Sequence, residues 1–195
     1  MFRIEKHDRY QRKEVDIFNE YKINEKEEYA TLFYTNRKGE NFKILVDLDD
    51  FYKLKELNSS WYIVKKKSNR VYAQTSLYLG KFNGKHKYNV IQLQKYLLDV
   101  DKGFHIDHIN HNPLDCRRNN LRVATIGENI RNRKSKNSNN TSGYRNVSWS
   151  DNGWVVQLQV NGKNTRLGKF DDVDEAGKFA KKMRKKYYGE FAGKS

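Results

Sequence analysis

Residues 103–133 read GFHIDHINHNPLDCRRNNLRVATIGENIRNR, and the interpretation of the whole chain starts from this segment. Three of the five histidines of the protein fall in it, beside two aspartates and a cluster of asparagines. The apolar run at residues 121–124 predicts a strand. Thr125, with Glu128 three residues later, is the capping-box signature of a helix start. The pattern therefore predicts a strand, a polar loop, a second strand and a helix.

Four polar residues lie at the ends of these predicted elements. Asp107 and His108 close the first strand, Asn120 precedes the second, and Asn129 lies in the first helical turn. A hard divalent ion such as Mg²⁺ needs oxygen ligands and keeps several waters, so Asp107 and Asn129 can supply enough of them. The imidazole of His108 can take a proton from a water molecule at neutral pH. Asn120 is expected to tie the loop and to hold that imidazole in the required tautomer.

The spacing of this segment resembles that of the HNH endonucleases, in particular the phage and intron homing type. The shared features are Asp-His, an asparagine twelve residues after the histidine, another nine residues further on, and the surrounding text DHIN, LRVAT and EN. The resemblance implies a ββα-metal motif in which His108 is the general base and Asn120 orients the loop. It implies that Asp107 and Asn129 bind one Mg²⁺ or Mn²⁺. The reaction would be hydrolysis of a DNA phosphodiester bond to 5′-phosphate and 3′-hydroxyl ends.

Two other interpretations of the segment are a structural zinc site and a polar loop without chemistry. Zinc is held by cysteines and histidines in pairs, and Cys116 is the only cysteine. A polar loop predicts no particular spacing, so both alternatives explain less. The remaining two histidines of the segment stay open: His111 could contact phosphate or the scissile strand, but exposed loop histidines without a role would explain His111 and His105 as well.

The charge of the chain favours a polyanionic partner. Its 195 residues carry a net charge of +15, with a pI near 9.7. Residues 117–195 hold 18 lysines and arginines against 7 acidic residues, whereas residues 1–116 hold 21 against 17. This asymmetry favours contact of the C-terminal half with double-stranded DNA, bound by a monomer or a weak dimer.

Cysteine content and hydropathy bear on the compartment. One cysteine excludes an intramolecular disulfide framework and favours a reducing environment. No apolar run approaches the ~20 residues that span a bilayer, and the first residues do not lead into a signal-peptide core. We therefore expect a protein of the host-cell cytoplasm that acts at DNA and not at a membrane.

Residues 1–98 are expected to form a small β-rich region. Residues 1–28 are charged and weakly periodic. Residues 31–35 and 42–46 flank a glycine-containing turn, which predicts a hairpin, and residues 47–57 have the apolar spacing of a short helix. Further elements follow in this order: strands at residues 61–64, 71–73 and 77–79, a turn at residues 80–85, and a strand leading into a short helix at residues 88–98. The region leads into the HNH-like motif at residues 99–133.

Residues 134–143 are polar, basic and without apolar periodicity, which predicts a linker. A solvated basic segment can follow a DNA backbone without folding. The candidate DNA contacts in and before this linker are Arg131, Arg133 and Lys134.

Residues 144–195 predict three strands and a helix. Alternating strands at residues 144–149, 154–160 and 165–168 are separated by good hairpin turns. Asp172 begins a helix with an apolar stripe. The order YRNVSW, GWVVQLQV, LGKF and YGEFA resembles the AP2/ERF DNA-binding domain over about fifty residues. Members of that family lay the exposed sheet face in the major groove.

The AP2/ERF resemblance implies a set of DNA-facing side chains, because arginine, glutamine and asparagine can make paired hydrogen bonds to base edges. By position they are Arg145, Ser148, Gln157, Gln159, Asn164 and Arg166. Trp154 is expected in the core. The lysines of the final helix are expected to form a solvated face.

The sequence thus predicts an α+β protein that acts as a metal-dependent, site-specific DNA endonuclease of the homing or phage type. The AP2-like module would bind the target and the HNH-like motif would cut it. The alternative is a DNA-binding regulator with a vestigial nuclease motif. A role on RNA is disfavoured, because no aromatic RNA-stacking motif of the usual kind occurs.

Overall fold

The structure, a computed structural model, describes residues 19–66, 70–133 and 136–193. Predictions for residues 1–18 and for Lys134 therefore lie outside the described residues. The chain forms two compact units, Met1–Val123 and Ala124–Ser195. Small antiparallel sheets alternate with a few helices, in agreement with the predicted α+β class. Among the described residues, no helix has the length and apolar character needed to span a membrane.

The elements follow one another along the chain with short connections. The strands of the first unit are β1 (Tyr21–Asn24), β2 (Tyr29–Thr35), β3 (Asn41–Asp47), β4 (Tyr62–Lys65), β5 (Val71–Phe82), β6 (Lys85–Gln92) and β7 (Phe104–His108). Its helices are α1 (Leu48–Glu56) and α2 (Leu93–Leu97). Strand β8 (Leu121–Thr125) contains the boundary between the units. The second unit continues with α3 (Ile126–Arg131), β9 (Val147–Ser150), β10 (Gly153–Val160), β11 (Lys163–Phe170) and α4 (Val173–Tyr188).

The first sheet is antiparallel in the order β1-β2-β3, and α1 contributes to the same core. Alternation along β2 and β3 buries one side chain in two, which is the pattern of a half-buried strand. The fully buried members of this core are Ala30, Leu32, Ile44, Val46, Phe51, Leu54 and Trp61. The predicted hairpin at residues 31–35 and 42–46 and the predicted helix at residues 47–57 are confirmed.

The second sheet has the order β4-β5-β6 and contains a long hairpin. Strand β5 is continuous over 12 residues, where two strands were predicted. The predicted turn at residues 80–85 is wrong, because β5 and β6 stay paired as far as Phe82 and Lys85. The turn is Asn83-Gly84, with φ angles of 48° and 76°. Asn-Gly favours such two-residue turns because both residues tolerate positive φ, so the strands extend further than the sequence pattern suggested.

The segment that carries the candidate site is attached to the first sheet. Leu45 of β3 donates its N–H to the carbonyl oxygen of Leu114 at 2.8 Å and accepts from the N–H of Cys116 at 2.8 Å. Strands β7 and β8 form a separate two-stranded sheet. Buried side chains of α2 and of this segment join the core of the first unit: Leu93, Leu97, Leu114, Cys116 and Leu121. The N-terminal region thus forms the support of the polar loop.

The second unit contains a three-stranded antiparallel sheet, in the order β11-β10-β9, and α4. Its core consists of Val147, Val156, Leu158, Ala176 and Ala180. Asp172 begins α4 as predicted, because its side chain accepts a hydrogen bond from the N–H of Glu175 at 2.8 Å. Trp154 packs partly buried against this core, also as predicted.

The described residues 136–143 are held by short-range hydrogen bonds. Ser142 is 8% exposed, and its hydroxyl donates to the carbonyl oxygen of Val147 at 2.9 Å. The side chain of Asn140 donates to the carbonyl oxygen of Tyr144 at 2.8 Å. Serine and asparagine can fix a backbone in this way without apolar periodicity, so hydrophobic patterning gives no sign of it.

Candidate functional site

Asp107 and His108 end strand β7 and are both buried, with exposed fractions of 8% and 7%. The chain turns sharply directly after them. The N–H of His111 donates to the carbonyl oxygen of His108 at 2.9 Å, and His111 itself has a φ of 62°. The predicted position of the pair at the end of the first strand is therefore correct.

Asp107 forms an ion pair with an arginine of β8 that the sequence reasoning had not singled out. The Nε and Nη2 atoms of Arg122 lie 2.9 Å and 2.8 Å from the same oxygen, Oδ2, of Asp107. The side chains are only 12% and 9% exposed, so solvent screens the pair weakly. A cation that binds at Oδ2 must compete with the guanidinium of Arg122.

His108 is neutral at physiological pH. Burial lowers its pKa to about 4, although the negative charges of Asp107 and Asp115 act in the opposite direction. A neutral imidazole has one nitrogen with a free lone pair, which is the form that can accept a proton. The buried position thus keeps His108 in its basic form, at the cost of a lower intrinsic basicity.

Cys116 contacts the imidazole directly. Its Sγ lies 3.9 Å from Nε2 of His108 and 3.7 Å from the carbonyl oxygen of Pro113. The thiol has a single proton, so when it is donated to Pro113 the contact with His108 needs Nε2–H as the donor. In that tautomer Nδ1 of His108 carries the lone pair. Burial raises the pKa of the Cys116 thiol to about 12, so it stays protonated.

Asn120 ties the loop between β7 and β8 together. It is 6% exposed and donates from Nδ2 to the carbonyl oxygen of Asp115 at 2.7 Å and to Oδ1 of Asn110 at 3.0 Å. Its Oδ1 accepts from the N–H of Asn110 at 2.9 Å. These bonds are the loop contacts expected of Asn120. Within the described residues, the side-chain contact to the imidazole comes from Cys116 instead.

Asp115 is a second buried carboxylate, and it holds the loop from below. Arg117 donates to it through two nitrogens, each at 2.8 Å, and Asn110 donates at 2.8 Å. Burial alone would raise the pKa of Asp115, but the hydrogen bonds and the charge of Arg117 outweigh this effect and lower it. The carboxylate is therefore ionised and serves as a fixed acceptor in the loop.

Arg118 fastens the same loop to helix α1. It donates two hydrogen bonds, of 2.8 Å and 2.7 Å, to the carboxylate of Asp50, which is 1% exposed. Its backbone N–H donates to Oδ2 of Asp47 at 2.6 Å. A bidentate arginine–carboxylate pair fixes orientation as well as distance. The N-terminal region thus positions the candidate site.

Asn129 lies in α3, in the second unit, and is partly buried. The helix begins with the predicted capping box: the N–H of Glu128 donates to Oγ1 of Thr125 at 3.2 Å, and the N–H of Thr125 donates to the Glu128 carboxylate at 2.8 Å. Over the described ranges, no group of three or more histidine, cysteine, aspartate or glutamate side chains is arranged to hold a metal ion. The predicted pair of Asp107 and Asn129 is a smaller donor set.

Five of the six residues predicted to face DNA in the second unit share one sheet face. Gln157 pairs with Arg166, and Gln159 pairs with Asn164, across β10 and β11. Ser148 of β9 pairs with Val155, which alternation places on the same face. All five polar side chains are exposed. Arg166 is also paired with Asp151 at 2.8 Å.

Arg145 differs from the other five, because it is only 4% exposed. Its guanidinium donates to the carbonyl oxygens of Arg131 and Arg133 at 2.9 Å and 2.6 Å. Burial and the nearby charges of Arg184 and Arg133 lower its pKa to about 10. The structure therefore corrects the placement of Arg145 on the exposed sheet face. Its guanidinium lies inside the unit and binds backbone oxygens.

The two remaining described candidates for DNA contact are Arg131 and Arg133. Arg131 is partly buried, and its guanidinium lies 5.1 Å from the ring centroid of Tyr188. Arg133 is partly buried and donates to Oδ1 of Asn137 at 2.5 Å. Both side chains therefore have contacts within their own unit.

Comparison with known proteins gives three findings. Residues 99–131 match the HNH endonuclease family model. The chain is 36% identical to Protein 3.8 of Escherichia phage T7 over 95 residues, which are 48% of this chain and 77% of that protein. It is 28% identical to an uncharacterised HNH endonuclease of Acanthamoeba polyphaga mimivirus over 123 residues, 59% of this chain and 64% of that protein. No solved structure matches the chain.

Proposed function

Because the chain belongs to the same protein family as Protein 3.8 of Escherichia phage T7, and because residues 99–131 are an HNH endonuclease domain, we propose that it is a site-specific DNA endonuclease of the homing or phage type. At the level of the family it is a nuclease, and DNA is the substrate that such a domain implies. The finer steps below are our inference from the residues.

One observation carries the proposal: a neutral, buried histidine lies beside a buried aspartate at the end of β7, inside the segment that matches the family. A general base must be unprotonated at working pH and fixed in direction. Burial supplies the first condition for His108. The contact with Cys116 and the hydrogen-bonded loop around Asn120 supply the second.

The donor set suits a hard divalent ion, because a carboxylate oxygen and an amide oxygen are ligands that Mg²⁺ and Mn²⁺ accept. Asp107 and Asn129 would hold one such ion. When bound, the ion would supply positive charge at the scissile phosphate and the leaving oxygen. The ion pair with Arg122 sets a condition on this binding, since the guanidinium already contacts Oδ2 of Asp107.

His108 would accept one proton from the attacking water, whose oxygen forms the new bond to phosphorus. The bond between phosphorus and the 3′ oxygen breaks, and that oxygen leaves with its electron pair and is then protonated. The products are a 5′-phosphate and a 3′-hydroxyl. Arg122, once displaced from Asp107, would be close enough to the reacting phosphate to offset its charge.

The second unit would bind the target site. Its exposed sheet face presents Gln157, Gln159, Asn164 and Arg166, which can hydrogen-bond to base edges in the manner of the AP2/ERF domain. Ser148 lies on the same face. Arg145 would support this unit from inside. One HNH domain in each chain favours a nick in one strand, unless two chains meet on the duplex.

The decisive experiment is cleavage of supercoiled plasmid with Mg²⁺ or Mn²⁺. We expect the native protein to produce open-circle or linear DNA and His108→Ala to produce neither. His105→Ala is a matched control, because His105 is an exposed histidine of the same strand. Gel shift and circular dichroism check that the variants bind DNA and fold. Equal cleavage by native protein and His108→Ala would reject the assigned base.

A second candidate is a DNA-binding regulator that does not cleave. The observation that favours it is the ion pair of Asp107 with Arg122, which engages an oxygen proposed to bind metal. If native protein binds DNA tightly but cuts neither plasmid nor phage or host DNA with any of several divalent ions, this candidate replaces the first.

A further inference from the structure

The hairpin of β5 and β6 extends beyond the core as a two-stranded ribbon, defined here as residues 78–90. Near its base, Ala73 and Thr75 are fully buried. Farther out, every residue from 81 to 90 is exposed, although the strands remain paired as far as Phe82 and Lys85. The ribbon is therefore an ordered element with two open faces, and it has no role in the proposed catalytic or sheet-face contacts.

The ribbon exposes large apolar side chains that its own unit leaves uncovered. Their exposed fractions are Tyr78 38%, Leu79 49%, Phe82 55%, Tyr88 54% and Val90 55%. Single exposed apolar residues are ordinary, but a group of them on one projecting element marks an interaction surface.

The side chains of the ribbon are ordered on both faces. On one face, the ring centroid of Tyr78 lies 5.4 Å from that of Tyr88 and 5.6 Å from that of His86. On the other, Nζ of Lys87 lies 5.2 Å from the ring centroid of Phe82. A change of register between Tyr78 and Gly80 marks a bulge, which increases the twist of the ribbon.

The charge around the ribbon identifies its partner. Residues 57–98 contain no aspartate or glutamate, whereas the chain's average composition would place about five there. The basic residues of this range are Lys65, Lys66, Lys67, Arg70, Lys81, Lys85, Lys87 and Lys95. A solvated surface without a charged partner normally mixes both signs. Complete absence of acidic residues is the composition of a surface that meets a polyanion.

We propose that the ribbon is a DNA-binding arm that enters the major groove of a duplex. This inference rests on the proposed function, because the partner is taken to be the DNA that the nuclease domain cuts. A two-stranded β-ribbon has the width that the major groove admits, about 12 Å. Lys81, Lys85 and Lys87 contact phosphates on the groove walls. The exposed rings, such as Phe82 and Tyr88, pack against apolar base edges, among them the thymine methyl group.

The test is a salt titration of binding, not of cleavage. The full chain carrying His108→Ala binds a fluorescein-labelled duplex of random sequence at 50 to 200 mM salt. The arm variant adds Lys81→Ala, Lys85→Ala and Lys87→Ala. The matched control adds Lys22→Ala, Lys38→Ala and Lys43→Ala, which removes three exposed lysines from the first sheet of the same unit. Both variants have the same net charge and keep every core residue.

The arm variant should lose about 2.7 from the slope of log affinity against log salt, since each phosphate contact contributes about 0.9. Over this salt range, binding by the parent protein should weaken about 40-fold more than binding by the arm variant. The control should keep the parent slope to within one contact. A further variant, Phe82→Ser with Tyr88→Ser, should bind more weakly with the parent slope, because apolar contacts release no counterions.

Equal slopes for the arm variant and the control would overturn the proposal. So would a loss confined to an RNA hairpin competitor, which would assign the ribbon to RNA. The two inferences fail separately. If native protein cuts plasmid and the arm lysines are silent, the arm is wrong and the nuclease stands. If no metal supports cleavage but the arm variant loses its slope, the arm stands and the nuclease is wrong.

Discussion

Arg122 and Asp107 are joined through a single carboxylate oxygen, to which the guanidinium donates from Nε at 2.9 Å and from Nη2 at 2.8 Å. The two residues lie on the paired strands β7 and β8, so the pair is part of the sheet that carries the candidate base. The guanidinium takes a place that a cation at Asp107 would take. Metal binding and this ion pair are therefore alternatives at one atom.

The first prediction concerns Arg122→Met, which removes the guanidinium and keeps an apolar stem. The native fold should lose about 3 kcal/mol in metal-free buffer, because a buried carboxylate is left without its partner. Mg²⁺ or Mn²⁺ should raise the melting temperature of Arg122→Met more than that of the native protein, since the competitor for Oδ2 is gone. Thermal melts with EDTA and with each ion measure both effects. Asp107→Asn combined with Arg122→Met should abolish the response to metal.

The second prediction is a pH dependence of stability that comes from His108. The unfolded chain binds a proton at the imidazole near pH 6.5, whereas burial lowers the native pKa to about 4. The stabilisation is thus complete above pH 6.5 and is lost as the pH falls towards 4. Between pH 7.5 and 4.5 the native protein should lose about 2.5 kcal/mol more than His108→Gln. Guanidinium unfolding in EDTA at both pH values gives the difference, and equal losses would contradict it.

The third prediction concerns Cys116, whose Sγ contacts Nε2 of His108. Cys116→Ala removes the group that orients the imidazole and should lower the cleavage rate about tenfold, a typical cost for an orienting partner. Cys116→Ser retains a donor and an acceptor and should keep more activity. DNA affinity, measured by gel shift, should be the same in all three proteins. A change in affinity that parallels the change in rate would instead indicate a folding defect.

The thiol of Cys116 gives an independent check on the same position. It is fully buried, and its pKa is raised to about 12. A thiol-specific disulfide reagent at pH 8 should therefore not react with the native protein, and should react with one equivalent in denaturant. Fast reaction of the native protein would show that the loop opens.

The fourth prediction tests the attachment of the loop to helix α1. Arg118→Ala leaves the carboxylate of Asp50, 1% exposed, without its bidentate partner; Lys53 lies 3.7 Å away and is largely solvated. We expect a loss of about 2 to 4 kcal/mol in the free energy of unfolding. Asp50→Asn with Arg118→Ala should recover part of this loss, because the buried charge is gone. Urea unfolding of the single and double variants measures the coupling.

The fifth prediction concerns Gly177, inside α4. A Cβ atom there would lie 2.5 Å from the ring of Tyr144, whose hydroxyl donates to Asp174 at 2.6 Å. Gly177→Ala should therefore destabilise the second unit by about 1 to 3 kcal/mol, although alanine is the better helix former. Gly127→Ala in α3 is the matched control, because the nearest atoms lie 4.0 Å away. It should be neutral or slightly stabilising.

The sequence alone located the chemistry of the first unit. The order of Asp107, His108 and Asn120 along the chain follows from local patterns: an apolar strand, a polar loop and a second apolar strand. The start of α3 followed from its capping box, which involves residues only three apart. Such features depend on neighbours in sequence, so they are readable without a structure.

Tertiary structure decided which of these groups are paired and how deeply they are buried. The partners Arg122 and Asp107 are 15 residues apart, and Arg118 and Asp50 are 68 apart, so no local pattern joins them. Arg145 was predicted at the DNA face from its position in a strand-like segment, but its guanidinium reaches inward to the carbonyl oxygens of Arg131 and Arg133. The sequence determined the chemical groups near the candidate site. Only the fold determined their ionisation and their competitors, because both depend on burial and on contacts between distant residues.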